Sequence, residues 1–219
     1  IETVETTHYS EEDVETVKVV YKYKDDLLVT SEIYHLNDDE WVQSFFKSFG
    51  YDEKGNQISF IGYGVSQSEK TLFAMEITDY DKNGNKVKIT NYMYDEVEEK
   101  LFAFIINEFS YSEAGKLIKE EIYNYNNDKL VLGEYYLYDY NTNGTIKKVE
   151  EYGADDNLNY VVRYTYDSNF NETAEETYEI IEGSEKISYK ITYEYDKNDR
   201  LIKRANFSAN VDTGVLEES

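Results

Sequence analysis

From Val14 onward the chain alternates residues with a period of two, the pattern of strands that turn one face to a core and one to water. Val17, Val19, Tyr21 and Tyr23 fall on one face of the first such run. Tyr136, Tyr138 and Tyr140 do so later, as do Tyr160, Val162, Tyr164 and Tyr166. In the last run Tyr189, Ile191, Tyr193 and Tyr195 share a face, with Lys190, Thr192 and Glu194 on the other. This predicts an aromatic face and a polar face, an alternation that fixes strand register. No stretch sustains the 3.6-residue period of a helix. Each run ends at a tyrosine followed by turn chemistry, as in Tyr80-Asp81-Lys82-Asn83-Gly84-Asn85. The aspartate can bond nearby backbone N–H groups, and Gly84 sits where a left-handed residue closes the turn. Gly55, Gly115 and Gly144 hold the equivalent position, whereas Phe170 and Asp199 replace it. Those two turns are expected to differ in type or to carry strain.

The unit repeats. Tyr51, Tyr80, Tyr111, Tyr140, Tyr166 and Tyr195 each have an aromatic residue twelve positions on: Tyr63, Tyr92, Tyr123, Tyr152, Tyr178 and Phe207. A seventh copy, one residue shorter, runs from Tyr23 to Tyr34. Successive starts lie 28, 29, 31, 29, 26 and 29 residues apart, a repeat protein's signature. Outgoing strands such as Val87–Tyr92 and Leu117–Tyr123 lead into a second, variable loop, for example Asn37-Asp38-Asp39 or Glu182-Gly183-Ser184. The fold class is therefore all-β: an antiparallel meander of about seven two-strand hairpin repeats of ~29 residues, forming an elongated, twisted or curled solenoid-like sheet. Thirteen or fourteen strands are expected. Residues 1–13 read as a loose lead-in, 14–207 as a single β-repeat domain and 208–219 as a C-terminal tail. No second set of elements is available to cover the aromatic face. Curling, a second copy, or Lys and Glu stems lying over the rings would each do so.

Composition narrows the partners. With 46 acidic and 22 basic residues the formal net charge is −24, unsuited to nucleic acid or an anionic membrane surface. The 24 tyrosines, 10 phenylalanines and one tryptophan supply much of the apolar fraction. Cysteine and proline are absent, so disulfides and thiolate chemistry are excluded. No run approaches the ~20 apolar residues of a membrane-spanning helix. The sequence starts at Ile1, from which removal of a preceding segment is expected.

Candidate chemistry is sparse. The only histidines are His8 and His35, and neither lies near a nucleophile elbow. With so many carboxylates, some pair will reach glycosidase-like separation by chance. The chain is accordingly expected not to be an enzyme, and no cofactor or metal is expected. Asp52-Glu53-Lys54-Gly55-Asn56 and Asp81–Asn85 resemble the opening of a calcium loop but lack its distal glutamate, and the same residues suit a hairpin turn. Trp41, with Phe45, Phe46 and Phe49, is expected to cap its end of the array. The candidate binding surface is the ladder Tyr138, Tyr164, Tyr166, Tyr193 and Tyr195, whose rings could stack on a glycan or a protein, or pack against a second copy in a homodimer.

The motif Tyr-x-Tyr-Asp-x-x-Gly-x-Leu resembles the YD repeat of Rhs-type bacterial surface and toxin-delivery proteins. It stands here as Tyr193-Glu194-Tyr195-Asp196-Lys197-Asn198-Asp199-Arg200-Leu201, in part as Tyr164-Thr165-Tyr166-Asp167, and as Phe109-Ser110-Tyr111-Ser112-Glu113-Ala114-Gly115-Lys116-Leu117. The repeat here is longer than the usual YD repeat, and no separate toxin or core domain is expected after Phe207. The resemblance implies an exported, extracellular or envelope-associated bacterial protein: a non-catalytic binding module or scaffold at the cell surface. A carbohydrate-binding role through the tyrosines, or a calcium-dependent adhesin-like one, is the alternative.

Overall fold

A computed structural model describes residues 2–9, 14–66, 69–95, 97–126, 129–210 and 213–218. It is all-β, an open antiparallel meander in which strand order follows chain order. Two compact units contribute to it. Unit one comprises residues 1–107 and 124–130, and unit two comprises 108–123 and 131–219. Unit one carries β1 (Glu2–Tyr9), β2 (Val14–Lys24), β3 (Leu27–Asn37), β4 (Glu40–Tyr51), β5 (Gln57–Ser66), β6 (Glu69–Tyr80) and β7 (Lys86–Asp95). The boundary cuts β8 (Lys100–Tyr111), β9 (Leu117–Asn126) and β10 (Lys129–Tyr140). Unit two continues with β11 (Ile146–Gly153), β12 (Leu158–Tyr166), β13 (Glu172–Ile181), β14 (Ser184–Tyr195), β15 (Leu201–Ala209) and β16 (Leu216–Glu218). Two strands exceed the expected number: β1 forms inside the stretch read as a lead-in, and β16 inside the stretch read as a tail. Parts of three second loops (residues 67–68, 96 and 127–128) and the connection 10–13 lie outside the described residues.

The motif turns share one geometry. The N–H of Asp81 donates to Asn85 O at 2.9 Å and that of Gly84 to Asp81 O at 3.1 Å. One oxygen of Asp81 accepts the N–H groups of Asn83 and Asn85, at 2.8 and 2.9 Å. The other accepts the Asn85 side chain at 2.9 Å. Asp52 and Asp167 repeat this pattern, and Asp196 does so with Arg200 in place of asparagine. The Phe170 and Asp199 turns keep the same backbone bonds, so their type does not change. Their difference is strain, with φ of 68° at Phe170 and 59° at Asp199. Asp199 is compensated, because its carboxylate accepts Asn169 and Asn171 Nδ2 at 2.8 and 2.9 Å. Phe170, 59 % exposed, has no such return. Phe170→Gly is therefore expected to stabilise the protein by about 1 kcal/mol, raising the melting temperature by ~2–4 °C. Asp199→Gly should give little or none of that gain in the same thermal melt.

Register shifts are not scattered. Each one in the described pairings falls immediately before a tyrosine. Tyr23, Tyr51, Tyr80, Tyr140, Tyr166 and Tyr195 mark one edge, and Tyr34, Tyr63, Tyr152 and Tyr178 the other. Such bulges add one residue to a strand and increase its twist. They also correct the expectation of one aromatic and one polar face. In β14 and β15 Tyr193 pairs with Arg204 and Lys190 with Phe207, so Phe207 lies opposite to the side that carries Tyr189 and Tyr193. The aromatic twelve positions after each motif tyrosine thus sits on the other surface. Both faces carry rings: a motif face with the Tyr-x-Tyr pairs and a closing face with residues such as Tyr34, Tyr63, Tyr152 and Tyr178.

Hydroxyls of the motif tyrosines tie repeats together. Tyr51 Oη donates to Leu28 O at 2.8 Å, Tyr80 Oη to Gln57 O at 3.0 Å and Tyr140 Oη to Leu117 O at 2.8 Å, each acceptor 23 residues upstream. Leu28 is the cross-strand partner of Tyr23, and Gln57 that of Tyr51. Each of these two hydroxyls therefore grips the carbonyl opposite the preceding motif tyrosine, at the bulge.

Candidate functional site

Three of the outgoing strands, β9, β11 and β13, carry a pair of glutamates in unit two: Glu120-Glu121, Glu150-Glu151 and Glu175-Glu176. Neighbours on a strand point to opposite faces, so each pair gives one carboxylate to each surface. Sequence reasoning missed this feature, although the dipeptide is visible in every one of these strands.

On the closing face the glutamate is matched. Lys119 Nζ lies 2.9 Å from Glu121, Lys148 Nζ 2.7 Å from Glu150 and Lys190 Nζ 2.7 Å from Glu176. Rings complete the sets. Lys119 Nζ stands over Tyr135 at 4.7 Å, and Tyr135 is stacked on Tyr152 with centroids 4.9 Å apart. Tyr178 donates its hydroxyl to Glu176 at 2.8 Å, while Arg163 lies over its ring at 4.7 Å and pairs with Glu185 at 2.7 Å. The hydrogen bonds from Lys190 and Tyr178 hold Glu176 below the usual carboxylate range. Under this layer Val161, cross-strand from Glu150 and Tyr178, is only 1 % exposed. Unit one has the same device: Glu32 accepts both Lys22 and the Tyr34 hydroxyl, with Lys18 over Tyr34 and Trp41. Lys and Glu stems therefore cover these rings from within the chain.

On the motif face of unit two Lys116 Nζ stands 4.8 Å over the Tyr140 ring, and the glutamates beside Tyr164 and Tyr166 have no such cation among the described residues. Tyr164 pairs cross-strand with Glu175, which pairs in turn with Ile191, and Tyr166 pairs with Glu172. All five expected ladder residues lie here: Tyr138 on β10, Tyr164 and Tyr166 on β12, Tyr193 and Tyr195 on β14. The structure separates them into two kinds. Tyr138 donates its hydroxyl to Glu120 at 3.2 Å, and burial raises its pKa. The hydroxyls of Tyr164, Tyr166, Tyr193 and Tyr195 enter no hydrogen bond among the described residues. Tyr164 is pushed up to about 12 by burial, then by the charges of Glu175 and Glu172. Glu172 is itself raised by burial and by Glu175, and Glu151 by burial and by Glu134. No ion pair among the described residues engages Glu151, Glu172 or Glu175. Arg204, cross-strand from Tyr193, pairs with none of them.

The other candidates fall into structural roles. Both oxygens of Asp52 and Asp81 are engaged by their own turns, and the Asn56 and Asn85 side chains foremost hold these carboxyls below their ordinary value. His35 lies on β3 between Val17 and Val42, and the His8 side chain lies outside the described residues. Phe45 and Phe46 point to opposite faces, Phe45 6.0 Å from Phe73 and Phe46 5.9 Å from Tyr63.

Residues 130–217 match the family model described as LptD protein. No curated protein matches the chain. Among solved structures, a protein of unknown function from Bacteroides fragilis is 13% identical over 55% of this chain and 91% of its own, with a TM-score of 0.45. The TcdB2-TccC3-Cdc42 complex is 13% identical over 90% of this chain and 12% of its own, with a TM-score of 0.40. A porin-like protein from Bacteroides uniformis is 13% identical over 99% of this chain and 91% of its own, with a TM-score of 0.27.

Proposed function

We propose that the protein is a non-catalytic binding module of the bacterial cell envelope that takes a partner onto the motif face of unit two. The observation that carries this reading is the row of half-buried rings of Tyr164, Tyr166, Tyr193 and Tyr195, whose hydroxyls make no hydrogen bond among the described residues, beside Glu172 and Glu175, which pair with no described cation. Comparable groups on the closing face are satisfied within the chain. A second copy is a poor occupant, because face-to-face packing would bring these glutamates against one another. The envelope location is supported by the match to the LptD family model, and export and kinship with YD-repeat proteins by the Tyr-x-Tyr-Asp motif. A glycan is the second reading: Tyr164 and Tyr193 stand two strands apart on one face, and aromatic rings so arrayed can stack on successive sugar rings. The test is a titration of the protein with neutral oligosaccharides and with charged peptides, followed by tyrosine fluorescence. At least one class should bind, and Tyr164→Ala with Tyr193→Ala should abolish the signal. A wild type that binds neither class, or a double variant that binds equally well, would remove the proposal.

A further inference from the structure

The closing face shows what a tyrosine and a glutamate of this sheet hold when they are complete. Glu176 takes Lys190 and the Tyr178 hydroxyl, and Arg163 covers the Tyr178 ring. Glu32 takes Lys22 and the Tyr34 hydroxyl, and Lys18 covers that ring. On the motif face of unit two tyrosine and glutamate again lie side by side, here cross-strand and without the hydroxyl bond, and among the described residues no cation stands over Tyr164, Tyr166, Tyr193 or Tyr195. Glu175 lies cross-strand from Tyr164, and Glu172 beside Tyr166, with the charge of Glu172 also felt by Tyr195.

We propose that this face is the docking surface for a lysine- or arginine-bearing segment of a partner polypeptide. Its cations occupy the places beside Glu172, Glu175 and Tyr164 that Lys190 and Arg163 fill beside Glu176 and Tyr178. The inference rests on reading this face as the binding surface and adds the chemistry of the partner. Charge complementarity selects the occupant. A cation gains both the carboxylates and the ring faces, whereas an anionic chain meets repulsion and a neutral glycan leaves the carboxylates unmatched. Burial and mutual repulsion hold Glu172 above its ordinary pKa, the condition an incoming cation relieves.

The experiment uses octalysine, with a neutral oligosaccharide as the parallel probe, in calorimetric titrations of the full chain at low and moderate salt. Three proteins are compared: wild type, Glu172→Gln with Glu175→Gln, and a control of equal charge, Glu53→Gln with Glu113→Gln, placed in exposed turns. The face variant should bind octalysine about tenfold more weakly, equivalent to ~1.4 kcal/mol, and the control within about twofold. Tyr164→Leu, which keeps the bulk and loses the ring, should weaken binding similarly while its circular dichroism stays that of the wild type. Equal weakening in both charge variants would mean that octalysine senses only the net charge, and would overturn the inference. Binding of the oligosaccharide but not of octalysine would overturn it and leave the motif face as the binding surface. Binding of neither probe would remove both.

Discussion

Excision of Tyr140–Thr165, one whole repeat of 26 residues, leaves a folded β protein, whereas excision of Ile146–Asn157 alone abolishes the cooperative transition. The first deletion joins Asp139 to Tyr166 and sets β10 against β13. By the registers of the parent hairpins, Tyr138 then faces Glu175 as Tyr164 did, and Tyr135 faces Tyr178 in place of Tyr152. Strand direction, face and bulge position all survive, because each repeat meets mainly its neighbours. The second deletion removes β11 and its following loop but keeps the turn before them. β12 must then run where β11 ran, against β10, so the partners that β11 gave to both strands, Tyr152 for Tyr135 and Glu150 for Val161, are lost and every later strand reverses relative to β10. In urea the whole-repeat variant should show a single transition with a slope reduced by about a tenth, in proportion to the surface lost. A half-repeat variant that melts as cooperatively as the wild type would refute the hairpin as the folding unit.

The triple substitution Tyr51→Phe, Tyr80→Phe and Tyr140→Phe should cost about 3 kcal/mol. Each change deletes one hydroxyl that grips a different partly buried carbonyl, worth ~1 kcal/mol. The rings remain, so packing is preserved and the loss reports the hydroxyls alone. Burial raises the pKa of Tyr140, and burial with the charges of Asp52 and Glu76 raises that of Tyr80. The sign is then fixed. A raised folded-state pKa gives stability that is complete below the unfolded value near pH 10 and lost as pH climbs through the folded one. Wild-type stability should therefore fall above about pH 10. The triple variant should fall less, although Tyr34, raised to about 12 first by its hydrogen bond to Glu32, still contributes. Equal alkaline slopes for the two proteins would count against the hydroxyl ladder.

Much of this was legible in the residues. The tyrosine spacing, the alternation and the Asp-x-x-Gly turns gave the hairpins, their number to within two strands and the edge at which the motif turns lie. The shorter first repeat also has a local cause, the two-residue turn Asp25–Asp26, with φ of 51° and 64°. What stayed hidden is the parity of the faces. At the tip of its hairpin Tyr195 pairs with Leu201, and that register would place Phe207 on the motif face. The bulge before Tyr195 adds one residue and sends Phe207 to the other side, and a count of positions cannot reveal a bulge. The ladder tyrosines were found from their alternation. Their companions Glu172 and Glu175 were not, because assigning them needs the cross-strand register that the same bulges shift.

The hydroxyl that reaches back to the preceding repeat gives the array a head and a tail. A hairpin built like those that begin at Tyr51, Tyr80 and Tyr140 arrives with a donor for the copy before it and an acceptor for the copy after it. Gene duplication can thus lengthen or shorten such a protein by whole hairpins without a compensating change elsewhere. Copy number becomes a heritable dimension, while the surface that each copy presents is left to vary on its own.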